Sequence, residues 1–115
     1  MGWVYYACYL HYFEVARSEL IRERWKSYRK IEDEDGLRLP VIETGCSYYN
    51  GARYEDELDV HTTLRMDGAK LRFAYDVRRV ESREPIARGF TVHCFVDHQG
   101  RPRRAPPEFL KLFET

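Results

Sequence analysis

The sequence predicts a single α+β domain in which a long apolar helix precedes an antiparallel sheet. Near the N-terminus apolar residues recur at steps of three and four, and after Gly36 the period changes to two. The strands then follow one another without intervening helices, which excludes the alternating order of parallel α/β folds. With 115 residues, 43% of them hydrophobic, we expect one core and one domain over residues 1–115.

The first helix is predicted from Tyr5 to Trp25, because its apolar residues fall on one stripe. The residues expected to face the core are Tyr9, Tyr12, Phe13, Ala16 and Leu20, widened by Leu10, Ile21 and Trp25. Ser27 is a predicted N-cap of a short second helix that reaches about Asp33, with Lys30 paired to Glu34. The acidic run 32–35 is expected to be a solvated helix end, and Gly36 to stop the helix.

Four extended segments follow, over about 39–49, 58–65, 71–78 and 90–96. Asn50-Gly51 and Asp67-Gly68 are turn signals, and residues 82–85 form a further break. The apolar side of the last strand is predicted to be Phe90, Val92, Cys94 and Val96. This pattern indicates a meander of half-buried strands joined by short hairpins. A short C-terminal helix is predicted from Glu108 to Glu114.

Composition argues against several classes of function. The chain carries 19 basic and 19 acidic side chains, and nucleic-acid or membrane-surface binders normally show a basic excess. Three cysteines without a CxxC pair argue against a disulfide framework and favour the reducing cytoplasm. Four scattered histidines lack ligand spacing, so we expect no metal and no other cofactor. No apolar run approaches the roughly 18 residues of a membrane span.

Four motifs carry a resemblance to a known family. They are Gly2-Trp3-Val4-Tyr5-Tyr6-Ala7-Cys8-Tyr9, the helical run Phe13-Glu14-Val15-Ala16-Arg17-Ser18-Glu19, and the stretches 52–58 and 100–106. In this order, on these elements, the chain resembles the hotdog-fold acyl-CoA thioesterases. It is most similar to the branch of the 4-hydroxybenzoyl-CoA and Tol-Pal-associated thioesterases.

The resemblance implies a five-stranded antiparallel sheet wrapped around the long helix. It also implies hydrolysis of an acyl-CoA substrate by a homodimer or homotetramer, with the active site at a subunit boundary. The family's catalytic Asp lies three residues before the Gly that matches Gly2, which is two residues before Met1. We therefore expect a natural chain longer by roughly ten residues, about one strand. We also expect poor hydrolysis by the chain that begins at Met1.

Thioester hydrolysis needs a polarised carbonyl and a carboxylate that activates water. By resemblance, the backbone N–H of Tyr6 polarises the carbonyl, helped by the helix dipole. Gly2 belongs to the same motif, and Tyr5 and Tyr9 are candidate substrate contacts; the alternative for the tyrosines is groove packing. Glu14 is a candidate replacement base, although a structural pair with Arg17, three residues on, is favoured.

Binding of coenzyme A phosphates calls for Lys or Arg. The candidates are Lys70 and Arg72 after a predicted hairpin, and the cluster Arg101, Arg103 and Arg104. The alternative is that these side chains only solvate loops.

Cys8, His11 and His93 are further candidates for chemistry. Cys8 with His11 suggests a nucleophile, but without a third orienting group a small buried hydrophobe is favoured. His93, opposite the apolar side of its strand, is expected to face solvent or a subunit contact. Two other functions stay open, namely a non-catalytic acyl-CoA-binding hotdog protein and a purely structural dimerisation module.

Overall fold

The computed structural model describes residues 8–53 and 55–112, in which one long helix lies against a four-stranded antiparallel sheet. Gly2, Tyr5 and Tyr6 lie outside the described residues. The elements in chain order are α1 (Cys8–Arg24), α2 (Tyr28–Lys30), β1 (Val41–Tyr48), β2 (Leu58–Asp67), β3 (Lys70–Arg79), β4 (Pro85–His93), β5 (Phe95–Val96), β6 (Pro102–Arg103) and α3 (Pro107–Leu112). The predicted α+β class is confirmed.

The strand order in the sheet is β1-β4-β3-β2, so the predicted meander is wrong for β1. The β2–β3 hairpin forms as predicted, with Gly68 in the left-handed region at φ 64°. The Asn50-Gly51 signal does not close a hairpin. Instead, the Asn50 side chain donates to the Pro85 carbonyl at 2.7 Å, and the Tyr49 N–H donates to the Ile86 carbonyl at 2.9 Å. These bonds hold the end of β1 beside the start of β4.

The face of β4 that packs on α1 differs from the predicted one. A Cβ at Gly89 would meet the Phe13 ring, so Gly89 faces α1. With a period of two, Ala87, Thr91 and His93 share that face. Phe90 lies on the other face, with the Arg72 guanidinium 4.1 Å from its ring centre. The apolar alternation in the sequence continues to Val96, whereas β4 ends at His93 and β5 pairs with β6 in a separate small sheet.

Aromatic packing fixes α1 on the sheet. The Phe13 ring stacks on Tyr75 of β3 with centroids 4.3 Å apart, and both side chains are buried. The predicted stripe is confirmed for Tyr9 and Ile21, which are also buried. Leu10 was wrongly included, because its side chain is exposed. Arg17, one turn after Phe13, is buried in the stripe instead.

The second helix begins after the predicted cap, but its α-helical part ends at Lys30, and a π-helical turn continues past Asp33 to the predicted stop at Gly36. The Ser27 side chain accepts a hydrogen bond from the Lys30 N–H at 3.3 Å, and Gly36 follows a π-helical turn (Ile31–Asp35) with φ 66°. The acidic run is not merely solvated. Lys26, rather than Lys30, pairs with Glu34 at 3.4 Å and with Asp35 at 2.5 Å.

The C-terminal helix α3 closes the end of the domain that lies beyond His93. Phe109 is buried against the rings of Trp25 and Phe95, with centroids 5.4 and 5.2 Å away. The Trp25 Nε1–H donates to the Glu108 carboxylate at 2.7 Å. Within the described ranges, no helix is long and apolar enough to cross a bilayer.

Candidate active site

Three tyrosines form a cluster near the start of α1, which we call the tyrosine cluster. Tyr9 packs edge-on against Tyr12 at 5.7 Å and against Tyr48, at the end of β1, at 5.5 Å. Cys46 and Ala52 also adjoin the Tyr9 hydroxyl. β1 is an edge strand, so the cluster lies at the border of the sheet.

Among the residues that the structure describes, the buried Tyr9 hydroxyl has no hydrogen-bond partner. Its side chain is 3% exposed, and the Ala52 backbone lies close enough to lower the phenol pKa slightly but makes no hydrogen bond of regular geometry with it. Burial, reinforced by Tyr12, raises the pKa of this phenol, which therefore stays protonated at neutral pH. A buried hydroxyl without a partner costs free energy. Of the predicted site residues that the structure describes, Tyr9 alone joins this cluster.

We expect Tyr9→Phe to raise the free energy of unfolding by up to about 1 kcal/mol, because it removes an unsatisfied buried polar atom. Urea unfolding followed by circular dichroism measures this. The matched control is Tyr75→Phe, since the Tyr75 hydroxyl accepts from Arg17 at 3.2 Å and bonds Thr91 at 2.6 Å. That variant should lose about 1–2 kcal/mol. Equal losses for both variants would contradict the assignment of an unpartnered Tyr9 hydroxyl.

A series of hydrogen bonds between buried side chains, which we call the polar chain, crosses the core between α1 and β4. The Arg17 Nη1–H donates to the Tyr75 hydroxyl at 3.2 Å, and Tyr75 bonds the Thr91 hydroxyl. Thr91 bonds His93 Nε2 at 2.9 Å, and His93 Nδ1 contacts the Leu39 carbonyl oxygen at 3.1 Å. Arg17 Nε–H also reaches the hydroxyl of Tyr28 at 3.2 Å. The predicted Glu14–Arg17 ion pair is absent among the described residues.

The direction of each hydrogen bond in the polar chain follows from which atoms can donate and which can only accept. A carbonyl only accepts, so His93 carries its proton on Nδ1 and its Nε2 accepts from Thr91. His93 is fully buried, and this burial lowers its pKa to about 4. The expectation of a solvent-facing or interfacial His93 is therefore wrong. The alternation that predicted it was correct, but the assignment of the core face was not.

Glu14 lies on the exposed side of α1, away from the tyrosine cluster. Glu14 lines a cleft of about 250 Å³ with Tyr28 and Arg38. Five residues of helix separate it from Tyr9, a rotation of about 140°. Within this chain Glu14 and the cluster therefore open to different surfaces.

The predicted phosphate-binding residues lie at the opposite end of the sheet from the tyrosine cluster. Tyr48 is opposite Ala87, and Ala87 is opposite Val77 on β3. Lys70 lies seven residues from Val77 along that strand, which is about 23 Å. Arg72 covers Phe90 on the outer face of the sheet. One protomer therefore does not bring these basic residues together with Tyr9.

The second basic group is also near the Lys70 end, beyond β4. Arg103 pairs with Asp97 at 2.9 Å, whereas the Arg101 side chain is exposed. The loop that holds both residues is organised by Asp97, whose carboxylate accepts from the Gln99 and Arg101 N–H groups. These bonds lower the pKa of Asp97, the Arg101 N–H contributing most.

Cys8 and His11 do not form a described catalytic pair. Cys8 is half-buried, while His11 lines a groove of about 710 Å³ between α1 and β2. In residues 8–53 and 55–112, no three His, Cys, Asp or Glu residues are grouped closely enough to hold a metal ion.

Comparison with known proteins defines the family. The sequence pattern of the thioesterase-like superfamily matches residues 1–113. The chain belongs to this superfamily. Its helix and antiparallel sheet match the hotdog fold of thioesterase structures. The buried polar chain was not predicted from the sequence, because its members Arg17, Tyr75 and Thr91 are far apart along the chain.

Individual relatives cover nearly the whole domain. The acyl-CoA thioester hydrolase YbgC of Escherichia coli O6:H1 is 27% identical over 114 residues, 98% of this chain and 84% of the relative. A crystal structure of a hypothetical protein from Aquifex aeolicus is 30% identical with a TM-score of 0.88, covering 98% of this chain and 87% of that one. A 1,4-dihydroxy-2-naphthoyl-CoA thioesterase from Synechocystis shares the fold, with a TM-score of 0.90, 20% identity, and coverage of 97% and 83%.

Proposed function

We propose that this chain is an acyl-CoA thioesterase that hydrolyses a thioester of coenzyme A at the start of α1. The carrying observation is the tyrosine cluster at that helix start, in which Tyr9 is buried and Tyr48 is about half exposed, in a member of the thioesterase-like superfamily. The Tyr6 N–H polarises the thioester carbonyl, and Gly2 and Tyr5 belong to the same segment. Tyr9 is the proposed substrate contact of this cluster, where its buried ring supplies an apolar wall.

A second copy of the chain would complete the site. β1 is an edge strand whose Val41, Ile42 and Tyr48 side chains are about half exposed. Exposed apolar edges favour pairing with another strand. A homodimer or homotetramer that pairs this edge places each tyrosine cluster at a subunit boundary. Basic residues of one copy then lie within reach of an extended coenzyme A bound at the other.

Lys70 and Arg72, with Arg101 and Arg103, are the proposed contacts of the coenzyme A phosphates. Their charges favour phosphate, and Arg101 and Lys70 make no ion pair among the described residues. Glu14 is the proposed alternative base if a carboxylate of this chain activates the water. Its exposed position requires a partner subunit to bring substrate to it.

Release of thiol from a series of acyl-CoA thioesters, followed with a thiol reagent, tests this proposal. We expect slow, saturable hydrolysis of at least one thioester. The variant Lys70→Gln/Arg72→Gln should raise KM for acyl-CoA about tenfold, because two phosphate contacts are lost. It should leave KM unchanged for the matching N-acetylcysteamine thioester, which has no nucleotide. An unchanged kcat in a Glu14→Gln variant would exclude Glu14 as the base.

The non-catalytic alternatives are separated by the same proteins. Stabilisation by coenzyme A without hydrolysis of any thioester would favour an acyl-CoA-binding protein, since a ligand that binds only the folded state raises its melting temperature. Neither hydrolysis nor stabilisation would favour a dimerisation module.

A further inference from the structure

A second apolar groove lies at the end of the sheet remote from the tyrosine cluster. It encloses about 750 Å³ between the β2–β3 hairpin, the turn before Gly36 and the segment that leads into α3. Its half-buried floor is formed by Leu37, Met66 and Ala105, which also pack on the core. Its rim is formed by Ala69, Pro106 and Leu110. This volume is within the range of small-molecule sites.

The charges around this groove leave one uncompensated cation. Asp35 lines the groove, but Lys26 neutralises it at 2.5 Å. Arg104 lines it too, and across residues 8–53 and 55–112 this guanidinium makes no ion pair and no hydrogen bond. Arg103 next to it is, by contrast, held by Asp97. The groove therefore combines an apolar floor with a single unpaired positive charge.

We propose that this groove binds an alkyl carboxylate, with the carboxylate on Arg104 and the alkyl chain over Leu37, Met66 and Ala105. A guanidinium pairs with a carboxylate through two parallel hydrogen bonds, which neutral head groups do not offer. The aliphatic floor, without a buried polar atom to satisfy, suits an alkyl chain better than a sugar or a nucleotide. The groove lies about 20 Å or more from the tyrosine cluster, and it borders Lys70 and Arg103, the proposed contacts of the coenzyme A phosphates.

Trp25 provides a local reporter of binding. Its indole bonds Glu108 and contacts Phe109 on α3, the helix that carries Leu110 at the groove rim. A Trp3→Phe protein keeps Trp25 as its single tryptophan. We expect dodecanoate, below its micelle concentration, to change Trp25 fluorescence saturably. Dodecanol, with the same chain and no charge, should bind about tenfold more weakly.

Three variants in that background test the two halves of the site. Arg104→Gln should weaken dodecanoate about tenfold and leave dodecanol unchanged. Ala69→Phe, at an exposed hairpin residue, should block both ligands by filling the groove. Arg29→Gln, an exposed arginine without an ion pair among the described residues, should change neither.

Several results would overturn the proposal. Equal dodecanoate affinity in Arg104→Gln and the parent would remove the head-group site, and no saturable response would remove the ligand altogether. Displacement of dodecanoate by coenzyme A would assign the groove to the thioester substrate. A changed oligomeric state of Ala69→Phe in sedimentation would make the groove an interface between copies. None of these readouts requires turnover, so they are separable from failure of the proposed hydrolysis.

Discussion

Gly89→Ala is expected to lose about 3 kcal/mol of folding free energy, although it adds a single methyl group. A Cβ at Gly89 would lie 2.5 Å from the Phe13 ring and 2.7 Å from the Gly45 carbonyl oxygen. The ring is stacked on Tyr75 and fully buried, and the carbonyl belongs to the neighbouring strand β1. Neither neighbour yields without moving α1 away from the sheet or spreading β1 from β4.

The matched control for this prediction is Gly45→Ala in the paired strand. Its Cβ would also be close to a ring, at 2.6 Å from Phe90, but that ring is half-buried on the outer face. Because Phe90 rotates toward solvent, we expect a loss of about 1 kcal/mol. Urea unfolding of both variants measures the difference. An equal loss of folding free energy in the two variants would mean that α1 does not pack on β4 as described.

Acidification from pH 6.5 to pH 4 is expected to reduce folding stability by up to about 3 kcal/mol through His93. In the unfolded chain this imidazole has its ordinary pKa of 6.5, whereas burial lowers its pKa to about 4 in the folded protein. Below pH 6.5 the unfolded state therefore binds a proton that the folded state excludes. The contribution of His93 is complete above pH 6.5 and is lost as pH falls toward 4.

Urea unfolding at half-unit steps of pH measures this slope. A His61→Asn protein should keep it, since His61 is exposed on β2. A His93→Leu protein should lose the slope over this interval, whatever its stability at pH 7. Asp56 and Asp97, whose pKa values are lowered by hydrogen bonds and arginines, contribute only below about pH 4. An unchanged slope in His93→Leu would show that another group carries it.

The fold class and the element order were predictable because they depend on local periodicity. The apolar stripe of 3.6-residue period through Phe13 lies on a helix, and the two-residue alternation lies on β2 and β3, as predicted. Ser27 and Gly36 act as cap and stop because their effects are local. These features need only residues within one turn or one hairpin.

Long-range features were not predictable from local patterns. The pairing of β1 with β4 depends on bonds from Tyr49 and Asn50 to residues about 35 positions away. The core face of β4 depends on Gly89, which has no side chain and therefore gives no hydrophobic signal. Lacking that signal, the apolar residues Phe90 and Val92 suggested the wrong face.

The candidate site also combines a feature that a local motif predicted with features that depend on long-range contacts. Tyr9 was expected to contact substrate from its place in a motif, and it lies in the tyrosine cluster, although its role as a substrate contact stays a prediction. The separation of Lys70 and Arg103 from that cluster arises from the register of whole strands. The polar chain from Arg17 to His93 joins residues up to 58 positions apart along individual bonds, so sequence spacing carried no trace of it.

The most direct test of the proposed thioesterase is a time course of both products from one acyl-CoA thioester. The account predicts that coenzyme A thiol and the free carboxylic acid accumulate in equal amounts, saturably and in proportion to protein. Stable acyl-CoA in the presence of correctly folded protein, across short, long and aromatic acyl groups, would contradict it.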